Sequence, residues 1–168
     1  MGRQIQSYST DLAYIAGFLD GDGSLMLQFK KSKERRIGFR VITTICFYQD
    51  SRHEKPLYWI KRKLKIGHIS RRNDGMTELR VNGHKSVGEI LLLLKPYLKF
   101  KKNQVRLLLK AIGLLKSNLS KFPFLSGKTL LKVAVISDEM AKENYFSSQR
   151  KYTAQFIAEH ISKINLSP

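Results

Sequence analysis

The sequence predicts an α+β fold, in one domain that spans residues 1–168. Two segments of alternating polar and apolar residues, joined by a charged turn, indicate a long β-hairpin. A second, shorter hairpin is indicated around Asn73-Asp74-Gly75, because this composition is typical of a tight turn. Elsewhere the apolar residues recur at helical spacing, so the predicted order is helix, two strands, helix, two strands and further helices.

The first helix is predicted over Leu12 to Leu19, because residues that favour N-caps precede this apolar segment and glycines follow it. Ser24 to Lys30 and Ile37 to Gln49 then alternate as strands, with the charged turn Lys31 to Arg36 between them. The side chains predicted to face the core are Leu25, Leu27, Phe29, Val41, Thr43, Ile45 and Phe47.

The second half of the chain is predicted to be mainly helical. A helix over Lys55 to Leu64 precedes the short hairpin, whose strands are Gly67 to Arg72 and Thr77 to Asn82. Proline, glycine and serine residues interrupt the helical periodicity after that hairpin. The remaining predicted helices are Val87 to Leu94, Lys102 to Lys116, Thr129 to Tyr145 and Lys151 to Ile164.

The strongest compositional signal is positive charge. The chain has 31 Lys and Arg against 13 Asp and Glu, a net charge of +18, while its hydrophobic content of 42% is ordinary for a folded protein. A folded surface this basic repels itself but gains free energy by displacing counterions from a polyanion, which favours nucleic acid as the partner. An anionic membrane surface, or solubility alone, is the alternative explanation.

Other features narrow the class. The one cysteine, Cys46, excludes an internal disulfide and argues against a structural zinc site. The apolar run Ile90 to Leu94 is too short to cross a bilayer, and the polar segment Met1 to Thr10 lacks a signal-peptide core. The sequence therefore predicts a cytoplasmic protein, or an organellar one if an organelle encodes it, with no membrane partner and no small-molecule substrate.

Polar and basic side chains on the solvent faces of the two hairpins predict a DNA-binding surface, because a two-stranded ribbon fits the major groove. The turn Lys31 to Arg36 is expected to contact phosphates, and base contacts are expected if the sheet is concave on this face. An ordinary solvated face with edge-protecting lysines is the alternative. The candidate DNA-binding residues are Gln28, Lys30, Ser32, Arg35, Arg40, Thr44, Ser70, Arg72, Glu78 and Arg80.

Two acids, Asp20 and Asp22, follow the first helix, whose C-terminal end carries partial negative charge. A divalent cation would offset this unfavourable arrangement. A calcium loop of the EF-hand type is excluded, because Leu25 and Lys31 stand where its glycine and its closing glutamate are required. A plain turn is the other alternative, since Asp-Gly is a common turn dipeptide and occurs twice here.

The stretch Ile15-Ala16-Gly17-Phe18-Leu19-Asp20-Gly21-Asp22-Gly23 resembles the LAGLIDADG motif. The chain is similar over nearly its whole length to single-motif LAGLIDADG homing endonucleases. The resemblance implies the LAGLIDADG fold, α-β-β-α-β-β-α with further C-terminal helices and a saddle-shaped antiparallel sheet that binds DNA.

The resemblance also implies a homodimer in which two motif helices pack side by side, with an active site at each helix end. Asp22 and the carbonyl of Gly21 would bind Mg²⁺, and the metal would activate the attacking water and stabilise the leaving oxygen. Gln49 would position water and Lys101 would steady the phosphate, with Lys99 and Lys102 as neighbouring alternatives. A third basic position of some relatives falls at His53, next to Arg52, and departs from the pattern. The dimer interface would contain Ala13, Ala16, Gly17 and Asp20, the last of which would cap the helix junction.

The expected function is that of an intron-encoded homing endonuclease, which supports mobility of its intron. It would cleave both strands of a long, pseudo-palindromic double-stranded DNA site with Mg²⁺ and leave 3′ overhangs. One motif copy predicts a homodimer, because two active sites need two acids. A cleavage-inactive RNA maturase or DNA-binding regulator is the alternative, and a basic ribosome-associated protein is a third.

Overall fold

The computed structural model describes residues 9–143 and 150–165 of the chain. Its elements follow the predicted order, and the α+β class is confirmed. The helices and strands are α1 (Ser9–Asp22), β1 (Gly23–Lys31), β2 (Phe39–Asp50), α2 (Lys55–Leu64), β3 (His68–Arg71), β4 (Met76–Asn82), α3 (His84–Leu94), α4 (Lys102–Lys121), α5 (Gly127–Lys142) and α6 (Ala154–Asn165).

The four strands form one sheet in the order β1-β2-β4-β3, and the β2–β4 and β3–β4 pairs are antiparallel. The saddle shape expected of this sheet stays a prediction. No helix in the described part of the chain is long and apolar enough to cross a membrane.

The chain divides into two compact units, and the prediction of a single domain stays untested. The first unit contains residues 1–26 and 43–105, and so includes α1, α2, α3, the short hairpin and the adjoining half of β2. Its core lies under one face of the sheet, where the paired residues Phe47 and Leu79, and Ile45 and Val81, are fully buried. Each fully buried side chain of this size contributes about 1.5–3 kcal/mol of hydrophobic free energy.

The second unit contains residues 27–42 and 106–168, and so joins the outer half of the long hairpin to the C-terminal helices. Phe39 is buried there, with ring centroids 5.1 Å from Tyr152 and 4.9 Å from His160. Asp138 of α5 accepts a hydrogen bond from the amide of Ala154 at 2.9 Å, which caps the start of α6.

Element boundaries differ from the predictions where tertiary contacts decide them. Helix α1 continues past the predicted end at Leu19 through Gly21 to Asp22, and β1 begins at the next residue. At Gly23 a Cβ atom would lie 2.8 Å from the Leu19 carbonyl oxygen, so this direct step from helix to strand requires glycine. Helix α4 extends five residues beyond the predicted Lys116, and the predicted end of α5 at Tyr145 lies outside the described residues.

Candidate active site and nucleic-acid interface

Helix α1 has one buried and one exposed face. Ala13, Gly17 and Gly21 lie four residues apart on the exposed face, whereas Ala16 is fully buried and Asp20 is 8% exposed. The predicted place of Ala16 and Asp20 on the dimer interface is wrong, because both side chains pack inside their own chain. The three exposed residues form a small-residue stripe over which a second backbone can approach closely.

The Asp20 carboxylate binds the backbone of a loop about eighty residues further along the chain. Its Oδ2 accepts hydrogen bonds from the amides of Lys99 at 2.6 Å and Phe100 at 3.2 Å, and its Oδ1 accepts one from the amide of Lys101 at 3.0 Å. The Lys101 ammonium donates in return to the Asp20 carbonyl oxygen at 2.6 Å. Asp20 therefore fixes the loop and its lysine at the C-terminal end of α1, in keeping with the predicted capping role.

This contact also distinguishes the three candidate lysines. Lys101 is half-buried against the helix end, whereas the side chains of Lys99 and Lys102 are exposed. Burial lowers the pKa of Lys101, and the Asp20 and Asp22 carboxylates act in the opposite direction. The structure therefore brings Lys101, rather than its neighbours, to the acids of the motif.

Asp22 is the last residue of α1, and its side chain is exposed. Among the described residues it has no hydrogen-bond partner, and its electrostatic neighbour is Lys101. The backbone at Gly21 is also open, since a Cβ atom there would meet no neighbouring atom within 4 Å. The Asp22 carboxylate is negatively charged, and a carbonyl oxygen at a helix C-terminus carries partial negative charge. Oxygen ligands of this kind suit a hard cation such as Mg²⁺.

Gln49 lies close to the end of β2, and its side chain is half-buried. The hydroxyl groups of Ser24 and Tyr48 are 3.1 Å apart, so the start of β1 lies beside the end of β2. Asp22 is two residues before Ser24, and Gln49 directly follows Tyr48. The predicted water-positioning residue and the predicted metal ligand therefore lie at the same end of these two strands.

The third basic position is occupied by an exposed His53, at the end of a short 3-10 turn. Its neighbour Arg52 donates to both oxygens of Asp50, at 3.0 and 2.8 Å, and this bonding holds the pKa of Asp50 well below its usual range. Arg52 is therefore paired with Asp50, and the exposed His53 lies beside this ion pair.

The face of the first unit's sheet opposite the core is polar. Cys46, Arg80 and His68 lie side by side across β2, β4 and β3, and Tyr48, Glu78 and Ser70 form the next row. The predicted candidates Ser70 and Arg80 are half-buried, and Arg72 is exposed and paired with Asp74 beyond the end of β3.

The predicted exposure of two DNA-binding candidates is wrong. Thr44 is 1% exposed, and its hydroxyl donates to Asn82 Oδ1 at 2.7 Å. Glu78 is 8% exposed, and both of its oxygens accept hydrogen bonds from Arg80 at 3.1 Å. Both lie on interior strands of the sheet, where neighbouring polar side chains cover them.

The other DNA-binding candidates lie in residues 27–42 of the second unit, the part of the long hairpin around its turn, here called the outer hairpin. Four of its predicted DNA-binding residues are exposed and one, Ser32, is half-buried; the exposed ones are Gln28, Lys30, Arg35 and Arg40. Arg36 at the turn stacks over the ring of Phe124, 4.9 Å from its centroid. The exposed basic side chains of the hairpin fit the predicted contacts with phosphates, which stay predictions.

Sequence reasoning missed two parts of the site. His68 is exposed and aligned with Arg80, and hairpin register counted from Asn73-Asp74-Gly75 would have placed it on the polar face. The contact between Asp20 and the Lys101 loop had no local signal, because it joins residues about eighty positions apart.

Comparisons with known proteins show similarity to LAGLIDADG endonucleases. The LAGLIDADG endonuclease family matches residues 15–112. The chain is 30% identical over 128 residues to the DNA endonuclease I-CvuI of Chlorella vulgaris, covering 76% of each protein. It is 28% identical over 146 residues to the DNA endonuclease I-CreI of Chlamydomonas reinhardtii, covering 87% of this chain and 85% of that protein.

Solved structures of homing endonucleases have the same fold as this chain. The crystal structure of I-CvuI in complex with its target superposes with a TM-score of 0.85 at 26% identity, over 95% of this chain and 98% of that one. The archaeal intron-encoded homing endonuclease I-Vdi141I, complexed with DNA, shares the fold with a TM-score of 0.80 at 21% identity, over 94% and 98% of the two chains. The predicted LAGLIDADG fold is confirmed. With the motif on α1 and a family match that covers residues 15–112, this chain belongs to the LAGLIDADG endonuclease family.

Proposed function

We propose that this chain is a site-specific homing endonuclease that cleaves both strands of a long, pseudo-palindromic double-stranded DNA site and leaves 3′ overhangs. One observation carries the proposal: the exposed Asp22 ends the motif helix, and Asp20 holds Lys101 at that same helix end. An unpaired carboxylate beside a half-buried ammonium group is an arrangement suited to phosphoryl transfer, in which charge stabilisation and positioning supply most of the catalysis.

Two observations support DNA as the substrate. The net charge of +18 favours a polyanion, and the basic side chains of the outer hairpin are exposed, as phosphate contacts would require. The relative I-CvuI has been crystallised with its target in the presence of calcium, and with the I-CreI target in the presence of magnesium. Both the family and the charge therefore point to double-stranded DNA.

The small-residue stripe on α1 supports a homodimer. Two such helices can pack closely through Ala13, Gly17 and Gly21, because none of these residues holds their backbones apart. A double-strand cut needs a carboxylate near each scissile phosphate, and each chain supplies one motif acid of this kind, Asp22. A two-fold axis beside α1 would then place the two Asp22 residues near each other and explain a pseudo-palindromic target.

Asp22 and the Gly21 carbonyl are the residues that would hold Mg²⁺. Within the described residues, no three His, Cys, Asp or Glu side chains cluster as a ready metal site. Mg²⁺ commonly keeps water and phosphate among its ligands and takes only one or two carboxylates, so this donor set fits it. Bound Mg²⁺ supplies a more acidic water and charge stabilisation at the leaving oxygen.

The other side chains orient the reaction. Lys101 donates to the charged phosphate, and its partly buried position strengthens this interaction relative to one in bulk water. Gln49, whose Oε1 accepts a hydrogen bond from the Asp50 amide at 2.9 Å, would hold a water through its amide N–H groups at the end of β2. Intron mobility, and a location in the cytoplasm or an organelle, stay predictions of the family resemblance.

A selection experiment tests the proposal. The full chain is incubated with a pool of palindromic DNA sites, in which one randomised half-site is repeated as its inverted copy, with Mg²⁺ or with EDTA. We expect a defined set of sites to be cut with Mg²⁺ and none to be cut with EDTA. Sequencing of the cut ends should show 3′ overhangs. Sites that are bound with Mg²⁺ present and never cut would instead support the cleavage-inactive maturase or regulator. No preference over bulk DNA would overturn both.

A further inference from the structure

Arg80 on β4 is held in a fixed orientation on the polar face of the sheet. Its Nε donates to Glu78 Oε1 and its Nη2 donates to Glu78 Oε2, each at 3.1 Å. A bidentate pair of this kind fixes the plane of the guanidinium group as well as its position. Arg80 is therefore preorganised, unlike a solvated arginine that samples many rotamers.

This pairing leaves one edge of the guanidinium free. An arginine side chain has five N–H donors, of which Glu78 uses one on Nε and one on Nη2. The two donors of Nη1 and the second donor of Nη2 remain, and within residues 9–143 and 150–165 no acceptor bonds to Nη1. Parallel donors at the end of a fixed arginine match the O6 and N7 acceptors that guanine presents in the major groove.

Glu78 itself is not available to a base. The residue is 8% exposed, and besides the Arg80 bonds its carboxylate accepts hydrogen bonds from the Ser70 hydroxyl at 3.3 Å and from the Cys46 thiol at 3.7 Å. An exposed glutamate can accept a hydrogen bond from cytosine N4, but each oxygen of this one already accepts two hydrogen bonds, which use both of its lone pairs. Its place under the guanidinium makes it a positioning residue for Arg80.

We propose that Arg80, oriented by Glu78, recognises one guanine in each half-site of the target DNA. The inference rests on the proposed function, since it requires this face of the sheet to meet the major groove. Adenine is rejected because its N6 amino group presents a donor where guanine presents the O6 acceptor. The expected preference for guanine at this position is about tenfold or more over the other bases.

Selection from the palindromic pool tests the proposal, by cleavage in Mg²⁺ and, separately, by binding in Ca²⁺. The wild-type chain is expected to enrich a G·C pair at one or more positions of the half-site. Arg80→Ala should flatten the preference at one of those positions and leave the others unchanged. Glu78→Gln, which keeps the size of the side chain but weakens the pair, should lower the preference at the same position without moving it. Arg62→Ala is the matched control, because it removes an exposed positive charge on α2 and should change no base preference.

The outcomes separate the two hypotheses. If the wild-type chain selects and cuts sites but Arg80→Ala gives the same base frequencies at every position, the proposal is overturned and the endonuclease assignment stands. Loss of a cytosine preference in Glu78→Gln, with the guanine preference intact, would also overturn it. If the wild-type chain enriches no site under either condition, the proposed function fails and the guanine assignment fails with it.

Discussion

The two faces of α1 use similar residues for different purposes. On the buried face, Ala16 packs into the core and Asp20 binds three backbone amides of a distant loop. On the exposed face, Gly17 has open space around it, and at the end of the helix the exposed Asp22 side chain has no hydrogen-bond partner in the described chain. Two aspartates two residues apart therefore differ completely in role: one is satisfied within the fold, and the other is available to a ligand.

The difference follows from helical geometry. Residues two apart on a helix are separated by about 200° around its axis, so the two carboxylates meet different surroundings: Asp20 faces the loop at residues 99–101, and Asp22, at the last position of α1, is exposed. A buried carboxylate needs hydrogen bonds to offset the cost of its desolvation. An exposed carboxylate at a helix C-terminus is destabilised by the helix dipole by about 0.3–1 kcal/mol. Keeping Asp22 at this position therefore lowers the free energy of unfolding slightly and provides a site that attracts cations.

Asp22→Asn should have the largest effect, because it removes the exposed carboxylate at the end of α1. We expect cleavage to fall to background while affinity for the selected site in Ca²⁺ changes little, since Asp22 makes no contact on which folding depends. Cleavage assays and gel-shift titrations measure the two quantities. A variant that still cuts would show that the metal ligand is misassigned.

Gly17→Leu tests the exposed face as a contact surface. A Cβ atom at this exposed position would have no neighbouring heavy atom within 4 Å, so the chain should fold, but two α1 helices could no longer approach closely. We expect sedimentation to show monomers and double-strand cleavage to be lost. Gly113→Leu on α4 is the matched control, because Gly113 is equally open and exposed and lies outside the proposed interface. Dimers of Gly17→Leu would refute the interface.

Lys101→Met should lower kcat about 10²-fold, the usual cost of losing one preorganised donor to a developing charge. The apolar replacement fits the partly buried position but removes the hydrogen bond to the Asp20 carbonyl, so a modest fall in Tm should accompany the loss of kcat. Lys99→Met and Lys102→Met are the controls: both lysines are exposed, and their loss should weaken DNA affinity slightly without a specific fall in kcat. A kcat defect in either control as large as that of Lys101→Met would reject Lys101 as the phosphate-binding residue.

The exposed face was largely predictable from the sequence, and the buried face was not. The motif and its glycines identify Asp22, Gly21 and Gly17 directly, and strand alternation located the core residues of the long hairpin. The sequence did not reveal which small residue faces inward, so Ala16 was misplaced. Nor did periodicity show that Glu78 is covered by Arg80 and Ser70, because burial within a sheet depends on the side chains of neighbouring strands.

Asp20→Asn should have the smallest effect on cleavage and a clear effect on stability. The amide can accept at one position but presents N–H groups at the other, leaving a loop amide unpaired at a cost of about 1–3 kcal/mol. We expect Tm to fall by several degrees and cleavage at neutral pH to fall modestly, since Lys101 is less firmly placed. Calorimetry and cleavage rates across pH measure both.

The pH profile separates positioning from mere stability. Burial lowers the pKa of Lys101, while the Asp20 carboxylate raises it, so removing that negative charge lowers the pKa further. The charged ammonium exists below its pKa, and cleavage that depends on it should therefore decline at a lower pH in Asp20→Asn than in the wild type. Asp138→Asn is the matched control, because it also removes a carboxylate that bonds a backbone amide, at the start of α6. Asp138→Asn should lower Tm without changing the pH at which cleavage declines. If that pH fell equally in both variants, Asp20 would affect cleavage through stability alone.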